Sequence, residues 1–374
     1  MENLEQHDLL LATQPSNSVR EYSDPIPCDI LIDIFSRVPG WSIARFRCVS
    51  KYWGSILRRP DFTELFLTKS LARPRILFAM EVGKELLFFS SPQPQNPADN
   101  STLLATRYKR FPKKIPYGIT PPLYGLLLLR GDALVCNPFT GESITLPEMK
   151  TRTYIDRSFF GYDPINKQFK VLCKTYGSHD SHCVLTLGSS GKDSWRYIQS
   201  NPHYSLYGRT RINGEICING LLYYEAQVEE SKCIIVSFDL SSEKFGYIKI
   251  DQEILGGTLI NYKGNLGALV RHENEFVLWV LEEDAGNHKW CKRISVPLSL
   301  LDENGNYLHF VGMAGAGEIV FLPHRARSQF FYIVYYNIER KTFTRVIIQG
   351  FEELKDPFIT PRIFLDYVEN MRLL

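Results

Sequence analysis

Residues 236–250 read VSFDLSSEKFGYIKI: an apolar strand, a short polar turn that begins at Asp239, and a second strand. β-Branched and aromatic residues on both sides of a polar turn are typical of a β-hairpin. The same unit recurs through the rest of the C-terminal region, and repetition of this kind is typical of folds built from like units. The other copies are ALVCNPFTGESITLP (133–147), FFGYDPINKQFKVL (159–172), LWVLEEDAGNHKWCKRI (278–294), VYYNIERKTFTRVII (334–348) and, less regularly, LTLGSSGKDSWRYI (185–198).

The spacing of these hairpins predicts the fold. The turns that start at residues 239, 282 and 337 are 43 and 55 residues apart, and four strands in roughly 40 to 50 residues are typical of a propeller blade. We therefore predict a large all-β domain that is a degenerate propeller of about six blades. A β-sandwich or a mixed barrel is the alternative, because no WD or kelch signature is present. The predicted blades are 75–112, 119–148, 158–200, 209–250, 255–298 and 307–349, with a closing strand near 362–368.

The chain before residue 73 has a helical pattern instead. In SDPIPCDILIDIFSRVPG (23–40) the apolar residues recur at helical spacing, and Pro27 suits a first helical turn. The segment RFRCVSKYWGSILRR (45–59) places Trp53 in an apolar stripe and its basic residues on another side. Ser50 is suited to cap a new turn there, which would divide the segment into two helices.

A last helix is predicted after Pro60, with Asp61 as its N-cap. Three to four short helices in about fifty residues bury only about 60% of their unfolded surface, so such a unit is marginally stable alone. It nevertheless carries many large apolar residues. Some of them are therefore predicted to bind a partner.

The composition narrows the class of protein. The 374 residues are 44% hydrophobic, enough for a full core and about two domains, and the net charge of +2 is small for a dedicated nucleic-acid binder. No apolar run approaches the roughly 20 residues of a membrane span, and residues 1–13 lack the features of a signal peptide. The eight scattered cysteines contain no C-x-x-C pair. They predict reduced, buried thiols in a protein of the cytoplasm, the nucleus or both.

The sequence contains no strong motif for catalysis or metal binding. HDSHC (179–183) contains metal-ligand side chains, but no second Cys/His pair has zinc-site spacing, so we predict a surface loop and no metal. No G-x-S-x-G or other nucleophile signature is present, and we predict no catalytic residue and no cofactor. Nucleic-acid binding through residues 45–59 is disfavoured because their aromatic side chains belong to the apolar stripe.

The segment IPCDILIDIFSRVPGWSIARFRCVSKYWGSILRRPDF (26–62) resembles an F-box, the module that docks on the Skp-type adaptor of cullin-based ubiquitin ligases. Ile26-Pro27 stands where the family prefers Leu-Pro, DILIDIFSRVP resembles its first helix, and RFRCVSKYW resembles its most recognisable segment. The resemblance implies an adaptor-binding set of Pro27, Ile30, Leu31, Ile34, Phe35, Val38, Val49, Ser50 and Trp53. For Ile34 and Phe35 a place in the module's own core is an equal alternative. Arg45, Arg47 and Lys51 are then expected to form a polar rim.

The rest of the chain resembles the F-box-associated domain of a large plant family. Its landmarks NPFTGESITLP, GYDPINKQFKVL, WRYI, INGLLYY, IIVSFDLSSEKF and DYVEN stand in the family's order over nearly all of residues 75–370. The resemblance implies a disordered tail at 1–23, an F-box at 24–72 and an F-box-associated β domain at 73–374.

It further implies a non-catalytic substrate-recognition subunit of an SCF-type ubiquitin ligase. The expected partners are the Skp-type adaptor, through it the cullin and RING subunits, and a protein substrate, with neither nucleic acid nor a membrane. The alternative is a propeller-type hydrolase or a binding module unrelated to ubiquitination.

Substrate contacts are expected on long irregular connections, because propellers and related folds bind through loops at one end. The candidates are GSHDSHC (177–183), NPHYSLYGRTR (201–211) and PHRARSQFF (323–331), which carry the aromatic and guanidinium groups that are enriched at binding hot spots. The predicted substrate-binding residues are Tyr204, Tyr207, Arg209, Arg211, Arg325 and Arg327.

Overall fold

Four helices open the part of the chain that the computed structural model describes: α1 (Cys28–Arg37), α2 (Gly40–Phe46), α3 (Lys51–Ile56) and α4 (Pro60–Leu71), together called the helical module. Within the described residues no helix is long and apolar enough to cross a membrane. The described residues are 26–83, 85–112, 118–131, 133–149, 154–176, 181–188, 194–200, 204–206, 214–229, 232–273, 275–284, 287–297, 308–315, 317–323, 331–351 and 361–372.

The break between α2 and α3 lies at Ser50, as the sequence predicted. The Ser50 backbone is extended, and its hydroxyl accepts a hydrogen bond of 3.1 Å from the backbone N–H of Trp53. The new helix direction carries the Trp53 ring onto Phe35 and Phe46, with centroid distances of 5.0 and 5.7 Å. One indole thus packs on both preceding helices.

The start of α4 differs from the prediction. Arg59 is the N-cap and Pro60 the first helical residue, so Asp61 lies inside the first turn and the predicted N-cap is wrong by two positions. Proline is suited to the first helical position because its missing N–H is not needed there. Asp61 instead pairs with Arg59 at 2.6 Å on the surface.

Apart from a short 3-10 helix (Gln252–Ile254) and the connecting turns, the remaining described residues form strands. In chain order these are β1 (Arg75–Val82), β2 (Glu85–Pro92), β3 (Ser101–Leu104), β4 (Thr106–Pro112), β5 (Leu127–Leu129), β6 (Leu134–Cys136), β7 (Ser143–Thr145), β8 (Tyr154–Asp163), β9 (Gln168–Tyr176), β10 (Ser181–Leu187), β11 (Arg196–Gln199), β12 (Glu215–Ile218), β13 (Leu221–Glu229), β14 (Lys232–Asp239), β15 (Lys244–Lys249), β16 (Thr258–Tyr262), β17 (Asn265–Arg271), β18 (Glu275–Asp284), β19 (Asn287–Pro297), β20 (Leu308–Met313), β21 (Ile319–Pro323), β22 (Phe331–Asn337), β23 (Thr342–Gln349) and β24 (Arg362–Tyr367).

These strands form six sheets within the described residues, which we number as blades. Blade 1 has the order β24-β1-β2-β4, blade 2 is β5-β6-β7, blades 3, 4 and 5 are β8–β11, β12–β15 and β16–β19, and blade 6 is β20-β21-β22-β23-β3. Strands β8, β12, β16, β20 and β24 touch one another from blade to blade, so they form the inner ring. The predicted six-bladed propeller is confirmed, and the sandwich and mixed-barrel alternatives are wrong.

The ring is closed at two places. The C-terminal strand β24 pairs antiparallel with β1 and takes the inner position of blade 1, which confirms the predicted closing strand. Strand β3 leaves blade 1 and pairs in parallel with β23 at the outer edge of blade 6, which the sequence did not predict. Blades 1 and 6 are therefore joined at both their inner and outer edges.

The repeated hairpin unit has a structural cause. Its first polar residue accepts hydrogen bonds through its side-chain oxygen from backbone N–H groups two or three residues later, and the residue four positions on has a positive φ. Asn and Asp side chains favour such turns, and the left-handed residue reverses the chain. The pairs are Asn137 with Gly141, Asp163 with Lys167, Asp239 with Glu243, and Asn337 with Lys341.

Asp163 ties blade 3 to blade 4 and predicts an acid-sensitive contact. Its carboxylate accepts a hydrogen bond of 2.6 Å from the Ser241 hydroxyl and lies 3.8 Å from Lys170 Nζ. Burial opposes ionisation of the carboxyl, but hydrogen bonds from Ser241, Asn166 and backbone amides outweigh it and lower the pKa of Asp163 to about 2.

We expect Asp163→Asn to destabilise the protein at neutral pH, because the amide loses the charge-assisted contacts. A depressed pKa contributes stability above the ordinary carboxyl pKa and loses it as pH falls toward the folded pKa. The difference in unfolding free energy between wild type and Asp163→Asn should thus be constant above about pH 4 and shrink between about pH 4 and pH 2. Urea titrations across this range measure it. A difference that grows on acidification would contradict the assignment.

The thiols follow the prediction only in part. All eight cysteines are free, and Cys136, Cys173 and Cys183 are buried, but Cys48 is exposed and the other four are half-buried. Burial raises the pKa of Cys183 to about 11. The three buried thiols therefore remain protonated packing groups.

Candidate functional site

An apolar strip lies on the exposed side of α1. Ile30 and Ile34 of α1 are 48% and 45% exposed and lie four residues apart, on one helix face. Ile26, just before the helix, is 49% exposed. At the start of α3, Val49 is 62% exposed and Tyr52 is 49% exposed. Large aliphatic and aromatic side chains left this open on so small a module are typical of a surface that binds a partner.

The predicted adaptor-binding residues fall into three groups. Pro27, Ile30, Ile34, Val49 and Ser50 are exposed, and Val38 and Trp53 are half-buried. The remaining two belong to the core.

Leu31 and Phe35 are the correction to this set, because they are 3% and 1% exposed and pack in the module's own core with Phe62 and Phe66. The equal alternatives for residues 34 and 35 are thereby separated: Ile34 faces outward and Phe35 inward. Leu31 and Phe35 have no free surface to offer a partner in this structure. They support the exposed strip by holding α1 against α4.

The predicted polar rim is also only partly present. Arg45 and Lys51 are exposed, and the Arg45 guanidinium lies 4.9 Å from the ring centre of Trp41. Arg47 is half-buried instead and donates a hydrogen bond of 3.1 Å to the carbonyl of Leu57. Burial, assisted by Arg58, lowers the pKa of Arg47. Arg47 therefore joins α2 to the end of α3, and its place on the rim remains a prediction.

The helical module packs directly on one end of the propeller, which we call the near face. Phe66 of α4 stacks on Phe139 of the β6–β7 turn at 6.4 Å, and Glu64 lies 3.8 Å from Lys167 of the β8–β9 turn. Met371, close to the C-terminus, is a member of the helical module's core. The module and the propeller thus share one hydrophobic cluster.

Glu369 is the polar centre of this junction. Its Oε2 accepts a hydrogen bond of 3.2 Å from the backbone N–H of Gly40, and its Oε1 accepts one of 2.6 Å from the Tyr108 hydroxyl. Arg75 Nε lies 3.5 Å from the same Oε1. A single carboxylate, 8% exposed, therefore binds the start of α2 and two strands of blade 1 together.

Gly40 is required at this place by close approach. A Cβ on residue 40 would lie 2.6 Å from Cε2 of Phe139 and 2.7 Å from Oε2 of Glu369. Any larger residue would displace the ring or the carboxylate.

The sequence landmarks DYVEN and NPFTG meet at the junction. The Asn137 side-chain amide donates to the carbonyls of Asn370 and Arg372 at 2.8 and 2.9 Å, and the Asn370 amide donates to the carbonyl of Tyr124 at 2.8 Å. Sequence reasoning noted both landmarks but assigned neither a role. In the sequence, both landmarks are polar residues beside strand ends. Only closure of the ring brings them into contact.

The predicted substrate-binding residues are only partly described. Tyr207, Arg209, Arg211, Arg325 and Arg327 lie outside the described residues.

Tyr204 is described, and its expected place on an exposed loop is wrong. It is 2% exposed, and its hydroxyl lies 2.6 Å from both His182 Nε2 and the Tyr224 hydroxyl. These groups fill the space between blades 3 and 4.

The metal-like segment HDSHC is not a surface loop where it is described. His182 and Cys183 are fully buried in β10. Burial, with a contribution from Lys174, lowers the pKa of His182 to about 3, so the imidazole is neutral. In the part of the chain that the structure describes, no three His, Cys, Asp or Glu side chains are grouped to hold a metal.

Family comparisons agree with this two-part structure. The F-box domain family matches residues 25–65, and the family described as the F-box associated beta propeller domain matches residues 75–368. The chain belongs to the F-box proteins with this propeller. The Arabidopsis thaliana F-box protein DOR is 44% identical over 387 residues, covering 95% of each chain. At1g53370 of Arabidopsis thaliana, whose name also marks it as an F-box protein, is 48% identical over 379 residues, covering 97% of each.

Solved structures resemble the F-box protein more distantly. A SapL1 lectin in complex with alpha methyl fucoside has a TM-score of 0.37 and 11% identity, covering 74% of this chain and 97% of the lectin. A puromycin hydrolase S511A mutant has a TM-score of 0.35 and 10% identity, covering 74% of this chain and 39% of the hydrolase. At these scores neither likeness bears on activity.

Proposed function

We propose that this F-box protein is the substrate-recognition subunit of an SCF-type ubiquitin ligase. The helical module docks on the Skp-type adaptor, and the propeller recruits a protein substrate. The observation that carries the proposal is the exposed strip Ile26, Ile30 and Ile34 on a module whose family is the F-box. The protein supplies no chemistry itself and acts in the cytoplasm, the nucleus or both.

The division between outward and inward residues supports docking through α1. Leu31 and Phe35 are packed in the core, so α1 needs no rearrangement to present its isoleucines. Burying one such side chain in an interface contributes about 1.5–3 kcal/mol. Ile30 and Ile34 of α1, with Ile26 just before it, therefore offer apolar surface for the contact, and the exposed Arg45 and Lys51 are available for its polar margin.

The role in the ligase is one of proximity. The conjugating enzyme that carries ubiquitin is held by the cullin and RING subunits, and the receptor raises the effective concentration of substrate beside it. Because the module and the propeller share one core, substrate held by the propeller has a defined position relative to the adaptor.

We expect Ile34→Ala to weaken adaptor binding by about 2 kcal/mol, roughly 30-fold in Kd. Its side chain is 45% exposed, so little folding stability is lost with it. Calorimetry with the purified full chain and purified adaptor measures the change. Leu104→Ala is the matched control, because Leu104 is 64% exposed on β3 at the outer edge of blade 6. Unchanged affinity in Ile34→Ala, or equal losses in both variants, would refute docking through this strip.

A further inference from the structure

Trp41 is a large aromatic residue on the outer side of α2. It is 48% exposed, whereas Gly40 and Ile43 of the same helix are buried. Among the described residues, the hydrophobic cluster of the helical module does not include Trp41. An enclosed indole buries about 150–250 Å² of surface, so folding leaves a large apolar area of this ring open to a partner.

Arg45 holds the Trp41 ring in place. The two residues are four apart on one face of α2, and the guanidinium carbon lies 4.9 Å from the ring centre. A guanidinium within about 6 Å of an indole face makes a favourable cation–π contact. The ring is thus braced on the helix surface, and less of its conformational freedom remains to be lost on binding.

The backbone next to Trp41 is fixed by the propeller. The N–H of the preceding residue, Gly40, donates a hydrogen bond of 3.2 Å to Glu369 Oε2, and the Phe139 ring fills the space that a Cβ on Gly40 would need. Consecutive Cα atoms are about 3.8 Å apart, so Trp41 stands at the edge of the contact between the helical module and the propeller. Its position relative to both parts is therefore defined.

The exposed side of α2 continues to the candidate adaptor surface. Past the end of the helix, the backbone N–H of Cys48 donates to the carbonyl of Arg45 at 3.0 Å, and that of Val49 donates to the carbonyl of Phe46 at 3.1 Å. These bonds carry the helical course on to Val49, which is 62% exposed. At 1.5–2.0 Å for each residue, Trp41 and Val49 are about 12–16 Å apart along this course. A standard interface covers about 800 Å² of each partner, about 30 Å across, so a partner bound at Val49 can also cover Trp41.

The charges around Trp41 specify the chemistry of that partner. Residues 34–60 contain no aspartate or glutamate, and Arg45 and Lys51 are exposed among them. The helices α2 and α3 therefore present an aromatic ring beside cations and contribute no acid. The complementary surface is an apolar pocket with carboxylates at its margin.

We propose that Trp41 is a further adaptor-binding residue, outside the set implied by the sequence, and that Arg45 is its positioning residue. The indole enters an apolar pocket of the Skp-type adaptor that has carboxylates at its margin. This inference rests on the proposed docking of the helical module. The adaptor is favoured over the substrate because Trp41 lies on the same helical course as Val49 of the candidate adaptor surface.

The test is calorimetry with the full chain and purified adaptor. We expect Trp41→Ala to weaken adaptor binding about tenfold, because tryptophans in well-packed pockets carry much of the binding energy of an interface. Trp41→Phe keeps an aromatic ring and should lose only about threefold. Since Trp41 is half exposed and outside the core cluster, both variants should melt like wild type. Unchanged adaptor affinity in Trp41→Ala would overturn the proposal.

The role of Arg45 has its own test. Arg45→Ala should weaken adaptor binding about threefold, and the double variant Trp41→Ala with Arg45→Ala should lose less than the product of the two single losses. The reason is that part of the Arg45 effect is to hold a ring that the first change has already removed. Losses that multiply in full would refute the positioning role of Arg45.

The matched control removes another exposed apolar side chain from the same module. Leu71, the last residue of α4, is 49% exposed, so Leu71→Ala should leave adaptor affinity unchanged. Equal losses in Trp41→Ala and Leu71→Ala would overturn the proposal. So would a dimer of the wild-type chain in sedimentation velocity that Trp41→Ala abolishes without changing adaptor affinity, because the ring would then bind a second copy.

Ile34→Ala, measured in the same series, separates this inference from the proposed function. If Ile34→Ala weakens adaptor binding and Trp41→Ala does not, the inference about Trp41 alone is refuted. If neither change weakens binding, docking through this side of the helical module is refuted as well.

Discussion

A chain that ends after Pro361 is expected to lose the folded propeller and to release the helical module from it. The deletion removes β24, the inner strand of blade 1, and with it Tyr367, Val368 and Met371, which are 0%, 6% and 8% exposed. Each buried side chain of this size contributes about 1.5–3 kcal/mol. The combined loss is therefore comparable with the whole stability of a typical domain, about 5–15 kcal/mol.

Thermal melting and limited proteolysis measure this result. A chain that ends after Arg372 is the control, because it keeps β24 and the Arg372 carbonyl that Asn137 binds. It should melt like wild type. A truncation at residue 361 that melts within a few degrees of wild type would show that β24 does not close the ring in solution.

Glu369→Ala is expected to cost about 3–5 kcal/mol of unfolding free energy. The change leaves Arg75, whose side chain is 17% exposed, without its carboxylate, and it leaves the Tyr108 hydroxyl and the Gly40 N–H without their acceptor. Glu369→Gln keeps oxygen acceptors but not the charge, so its loss should be smaller. Urea denaturation of the three proteins measures the order.

Gly40→Ala reaches the same contact from the helical side, because its new Cβ would clash with Phe139 and Glu369. The two substitutions should therefore be non-additive: Gly40→Ala with Glu369→Ala should cost less than the sum of the single changes. Full additivity would show that the two residues do not share one contact.

The propeller architecture could be predicted from the sequence because the turns repeat. In each turn the Asn or Asp side chain accepts hydrogen bonds from nearby backbone N–H groups, so the turn can be recognised from the local sequence alone. The repeated sequences did not show which two strands of a blade each hairpin forms. FFGYDPINKQFKVL joins the first two strands of blade 3, whereas VSFDLSSEKFGYIKI joins the last two of blade 4.

Pairings between strands that are distant in the chain could not be predicted from the sequence. Strand β3 lies between two strands of blade 1 in the chain, yet it pairs with β23, more than two hundred residues later. Nothing in the four residues STLL specifies a parallel partner, because the pairing depends on where the edge of blade 6 stops.

The candidate functional site, too, could be predicted from the sequence only in part. Helical spacing identified the apolar residues of α1, but the choice between Ile34 and Phe35 depended on how α4 packs. The sequence predicts Tyr204 on an exposed loop because it lies in a long irregular connection, whereas a cluster with His182 and Tyr224 buries it. Glu215 at the start of β12 pairs with Arg130, which follows β5 in another blade, so only the closed ring brings them together.

The position of β24 also sets the order in which the protein can be made. Blade 1 combines β1 with β24, which follows the strands of blades 2 to 6 in the chain, so the blade stays incomplete until β24 has left the ribosome. Contacts between such distant parts of a chain form late, because closing a long loop costs conformational entropy that is offset only once the contact has formed. Met371 belongs to the core of the helical module, which is therefore finished last although it is made first. A chain whose translation stops before β24 is expected to have an open ring and an unfinished helical module.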